Sequence, residues 1–159
     1  MHPISNSYRM QIFLPYPEPI MVARCLDKKR LNKQIIECDN IINAITGKST
    51  AWKNHPVVHM YSNHLDFIFN YKLCLDCYRK GDTTKALIYN KYACSAIPSF
   101  ITNDFCNQHK RRLYTKDSVH YNQFQQYGTS NHNWYIVDNV LLIYNNGKLV
   151  QKINHTPNQ

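Results

Sequence analysis

Apolar residues recur at helical spacing through most of this 159-residue chain and switch to short strand-like runs only near its end. Met21, Cys25, Leu26, Leu31, Ile35, Ile36, Cys38, Ile41, Ile42 and Ile45 form a stripe at i, i+3 and i+4. That period predicts one or two helices between about 19 and 46, with a break near Asp27. Upstream, QIFLPYPEP (11–19) reads as extended, because prolines at 15, 17 and 19 forbid a continuing helix. Gly47 is a natural helix stop, and GKSTAWKNHP (47–56) is a loop whose last residue, Pro56, suits a first helical turn. The run 57–81 reads as one helix closing on basic residues and Gly81. TKALIYNKYAC (84–94) predicts a short helix ahead of Pro98, and NDFCNQHKRRLYTKD (103–117) another, capped by Asn103 or Asp104. WYIVD, VLLIY and KLVQKI are β-type runs, the last two joined by an Asn145-Asn146-Gly147 turn.

The expected fold class is therefore mainly α, a single domain with a small C-terminal antiparallel β meander. Residues 10–155 form the domain, helical over 19–116 with the meander at about 133–153. Residues 1–9 are a polar, unpatterned extension, and Met10 could itself start the chain.

Charge narrows the partner. Nineteen Lys and Arg against ten Asp and Glu give a formal net charge of +9. Such an excess suits a polyanion, since each neutralised phosphate releases condensed counterions. No stretch approaches the ~20 apolar residues of a membrane span. The first residues lack the apolar core and cleavage site of a secretory signal. The expectation is an intracellular, cytoplasmic protein with reduced thiols. Of six cysteines only Cys74 and Cys77 are close, inside a helical run with no second pair at zinc-finger spacing, so no metal and no cofactor is expected. There is also no P-loop, GxGxxG or GxSxG motif, which disfavours phosphoryl transfer and dinucleotide chemistry.

Three clusters carry candidate chemistry. In CLDKKRLNKQIIE, a helix places Arg30, Lys33, Gln34 and Glu37 on adjoining turns, so cations could hold phosphates while Glu37 transfers protons. An ordinary solvated helix with a Lys33–Glu37 pair fits the same spacing. In AWKNHPVVHMY, Trp52 could stack on a base and Lys53 meet a phosphate, with Asn54 and His55 beside them at a helix start. His55 could equally be a satisfied structural histidine. In QHKRRLYTKD, Lys110, Arg111, Arg112 and Lys116 are interleaved with an aromatic residue, as a phosphate-backbone contact or a solvated helix end.

The blocks MQIFLPYP, ARCLDKKRLNKQIIE, WKNHPVVHMY and HKRRLYTKD, in that order, resemble the pyrimidine-dimer DNA glycosylases related to phage endonuclease V. The resemblance implies a mostly helical fold that grips bent DNA and extrudes a nucleotide. It also implies an N-terminal amine that attacks the sugar, forms a Schiff base and nicks the strand by β-elimination. A helix glutamate assists the proton transfers, and counting from the CLD block it falls on Glu37. The amine would be that of Met10 if the chain starts there, or Lys33 could serve if the extension is kept. The expected function is a glycosylase with AP-lyase activity on damaged or modified pyrimidines in double-stranded DNA. The alternative is a non-catalytic protein of the same fold that holds a nucleotide ligand or coats nucleic acid, as a viral accessory or structural component.

Overall fold

The computed structural model describes residues 10–155, so the 1–9 extension lies outside the described residues. Among the described residues, six α-helices, one 3-10 helix and one sheet follow in chain order: α1 (Pro19–Cys25), α2 (Lys28–Ile45), α3 (Pro56–Tyr61), α4 (Leu65–Arg79), α5 (Thr83–Cys94), α6 (Asn103–Lys116), a 3-10 helix (Asn122–Tyr127), then β1 (His132–Val137), β2 (Val140–Asn145) and β3 (Lys148–Asn154). The mainly α class with a terminal meander is what the structure shows. Among the described residues no helix is long and apolar enough to cross a membrane.

Helix boundaries follow local chemistry. The break between α1 and α2 falls at Asp27, whose side chain accepts from the Arg30 amide as N-cap of α2. The same carboxylate takes the Arg30 guanidinium at 3.1 Å and the Tyr121 hydroxyl, while the Tyr121 oxygen accepts from the Asp27 amide at 3.0 Å. Burial pushes the Asp27 carboxyl up, but Tyr121 and Arg30 outweigh it and hold the group below its usual range. Asp27→Ala removes the cap and both partners, and is expected to cost about 1–2 kcal/mol in urea unfolding at pH 7.

Two sequence readings are corrected. The run 57–81 is two helices, because Ser62-Asn63-His64 leave the helix; the Ser62 hydroxyl bonds back to the His59 carbonyl at 2.9 Å. The cap of α6 is Thr102, whose hydroxyl accepts from the Phe105 amide at 3.3 Å. The sheet has the order β1-β2-β3, with two tight turns built on left-handed backbone. Asn146 and Gly147 (φ 51° and 78°) form the expected one; Asp138 and Asn139 (φ 50° and 62°) form another without glycine.

Helix α4 is the central element, packed against α1, α2 and α5. Beside it lies a buried extended segment, Met10–Leu14, none of it more than 8% exposed and none of it paired in a sheet. Its backbone groups must find partners elsewhere. They find side chains. The Met10 carbonyl accepts from the Tyr135 hydroxyl at 2.7 Å. The Phe13 carbonyl accepts from Gln34 Nε2 at 3.1 Å and from the Tyr71 hydroxyl at 2.8 Å. The Leu14 amide donates to His109 Nδ1 at 2.6 Å. This segment is the floor of the site.

Candidate active site

Helix α2 begins at Asp27 and presents its Arg30–Lys33–Gln34–Glu37 face to the start of the buried segment. A cleft there is lined by Gln11, Phe13, Arg30, Lys33, Gln34, Glu37 and Lys116. The Gln11 backbone amide bonds to the Glu37 carboxylate, and Lys33 Nζ stands 3.9 Å from it. Burial pushes the Glu37 carboxyl up to about 7, against the opposing pull of Lys33, the Gln11 amide and Lys116. A carboxyl poised there can both donate and accept a proton near neutrality. The other charged groups around it are Arg30 and, from α6, Lys116 and Arg112. One acid among cations can carry protons while the cations hold phosphate oxygens.

The remaining predicted residues divide by position. Gln34 is 1% exposed and is occupied in clamping Phe13 and Tyr71. Met10 is buried, next to Gln11 and thus beside Glu37; within the 159-residue chain its nitrogen is a peptide nitrogen. Trp52 is half-buried at φ 70°, a backbone shape rare for a bulky residue, and its ring meets His55 edge-on at 6.2 Å. His55 is 5% exposed; its Nδ1 caps α3 by accepting from the Val57 amide at 3.0 Å, and its ring packs edge-on against Tyr135 at 5.4 Å. This histidine is a buried structural residue and offers no surface to a duplex. Lys53 and Asn54 are exposed on the loop before it.

The basic cluster on α6 splits similarly. The Lys110 ammonium lies over the rings of Tyr16 (4.9 Å), Tyr127 (4.6 Å) and Phe124 (5.9 Å), an aromatic cage in place of open solvent. Arg111 donates to the Tyr127 carbonyl at 2.8 Å. Arg112 is 9% exposed and donates to the Ser130 carbonyl at 3.3 Å. Lys116, the last residue of α6, reaches the Glu37 cleft. Three contributors were not anticipated: Gln11, Tyr135 and His109. Gln11 and His109 sit inside the MQIFLPYP and HKRRLYTKD blocks, whereas Tyr135 gave no local signal beyond strand propensity.

Residues 10–80 match the family model described as pyrimidine dimer DNA glycosylase. The matched segment holds the buried floor, Glu37 and the Trp52–His55 ring pair. At the level of the family, the match supports a DNA-repair glycosylase, and a pyrimidine dimer DNA glycosylase implies DNA as substrate. No curated protein and no solved structure matches the chain. The α6 and β1 side of the cleft lies beyond the segment that matches the glycosylase model. Cys74 packs with Ile20 and Ala86, where burial first and neighbouring thiols second push it up to about 12. Among the described residues no group of three or more His, Cys, Asp or Glu side chains is placed to hold a metal ion.

Proposed function

We propose that this protein is a DNA glycosylase with AP-lyase activity on damaged or modified pyrimidines in double-stranded DNA, working inside the cell. The observation that carries this reading is Glu37, a shielded carboxyl poised near neutrality inside a ring of cations, on the segment matching the glycosylase model. An amine in the cleft attacks the anomeric sugar carbon and the glycosidic bond breaks. Glu37 supplies and removes protons as the sugar ring opens and as C2′ loses its proton. Arg30 and Lys33, with Lys53 and Asn54 from the adjacent loop, are the proposed backbone contacts. Borohydride reduces the imine to a stable secondary amine, so the test is covalent trapping on a duplex carrying a pyrimidine dimer or an abasic site. Trapped protein is the expected result. No trapping with either the full chain or one starting at Met10 overturns the lyase step.

A second reading is favoured by the peptide nitrogen at Met10, which cannot act as a nucleophile while its lone pair is delocalised. It is a binding module for nucleotide or nucleic acid on the same fold. It predicts retained ligand with neither base release nor nicking.

A further inference from the structure

The Glu37 cleft is small, with room of about 30 Å³. Alongside lies a polar cavity of about 200 Å³, lined by Arg112, Lys116, Asn131, Asn133 and Asn146. Lys116 is the residue common to both linings. Whatever occupies the larger cavity therefore meets Lys116 at the boundary with Glu37.

We propose that Lys116 is the amine nucleophile of this site, attacking the sugar of a nucleotide seated in the Asn131–Asn133–Asn146 cavity. The inference rests on the glycosylase reading above and names the reacting group. Three observations favour this lysine. Met10 offers a peptide nitrogen in the 159-residue chain, and its carbonyl is held by Tyr135. Lys33 has a side chain 72% exposed and lines the narrow cleft but not the larger cavity. Lys116 is set among cations from three turns of two helices: Arg112 on α6, and Arg30 and Lys33 on α2. Partial burial of its ammonium first, and then those three cations, lower it to about 8, with Glu37 pulling the other way. Much of the side chain remains accessible to a substrate.

The step balances without an external reagent. The ammonium gives one proton to the Glu37 carboxylate, and the freed amine forms a bond to C1′ as the C1′–N glycosidic bond breaks. The departing base takes a proton from the newly bonded nitrogen, which is left as a neutral secondary amine. The nitrogen's lone pair opens the C1′–O4′ bond, O4′ takes the Glu37 proton, and a protonated imine results. Loss of a C2′ proton expels the 3′ phosphate oxygen with its electron pair. Water then hydrolyses the imine, restoring the lysine and releasing an unsaturated aldehyde.

The experiment is borohydride trapping of the full chain on an abasic-site duplex, followed by mass-spectrometric mapping of the modified peptide, with base release read in parallel on a duplex carrying a pyrimidine dimer. An adduct on Lys116 is expected. Lys116→Arg keeps the charge yet cannot be deprotonated, and should slow trapping by at least about 100-fold while duplex binding changes less than about threefold. Mapping on the unaltered chain keeps the test decisive even if that variant folds poorly. An adduct on an N-terminal amine or on Lys33 overturns the Lys116 assignment and leaves the glycosylase reading standing. Base release without any adduct does the same. The absence of both base release and adduct removes the glycosylase reading itself.

Discussion

Glu37→Gln is expected to cut base release and nicking by about 10²–10⁴-fold, the usual contribution of a positioned proton-transfer group. The same variant should be more stable than the parent above neutral pH. Burial holds the Glu37 carboxyl near 7 in the folded protein, so the folded state keeps a proton that the unfolded chain has already released. Stability therefore falls as pH rises from the ordinary glutamate value to about 7. Above that, the fold carries a shielded charge. Glutamine is neutral, nearly isosteric, and still offers an oxygen to the Gln11 amide. The gain at pH 8 should be on the order of 1–3 kcal/mol. Single-turnover assays paired with urea titrations at pH 5 and pH 8 check both halves. Retained nicking, or no gain at pH 8, would contradict this assignment of Glu37.

The second large effect belongs to His109. Burial first, and Arg112 second, push its imidazole down to about 3, and its Nδ1 accepts the Leu14 amide. It is wedged against Phe105 at 4.4 Å between ring centres. Here the sign reverses. The unfolded chain binds a proton near the ordinary histidine value and the fold refuses it, so stability is full above that value and drains as pH falls towards 3. The slope is about 1.4 kcal/mol per pH unit. Between roughly pH 4.5 and 6.5 the two residues oppose each other: the fold holds an extra proton on Glu37 and lacks one on His109. The parent should be nearly flat across that interval. Glu37→Gln exposes the histidine limb, losing on the order of 2–3 kcal/mol over two pH units. His109→Gln, though weaker at every pH, should gain stability as pH falls. Parallel profiles for all three proteins would refute both assignments.

Helices were legible where capping is local. Asp27, Pro56 and Gly81 mark boundaries by their own stereochemistry, and the Asn146-Gly147 turn announces itself. The turn at Asp138-Asn139 was hidden because neither residue is glycine. The break at 62–64 was hidden because the apolar pattern runs through it. The Arg30–Lys33–Glu37 face could be read from i, i+3 and i+4 spacing. Its opposite wall could not, since no period links Glu37 to Lys116 on another helix. Gln34 looks like a surface group in sequence and His55 is ambiguous there, yet both are buried: their partners, Phe13, Tyr71 and Tyr135, come from other elements. Lys110 was read as a phosphate contact because nothing local shows Tyr16, Phe124 and Tyr127 converging on it.

The pinned segment at the floor also has a timetable. Two of its four anchors are distant: Tyr135, 125 residues after Met10, and His109, 95 residues after Leu14. On the ribosome Met10–Leu14 is made early, but these two side chains are among the later ones to emerge. Contacts so distant close only after the loop between them has been ordered. The nascent chain thus carries Glu37 long before the segment beneath it is pinned, and that floor is complete only when β1 has joined it.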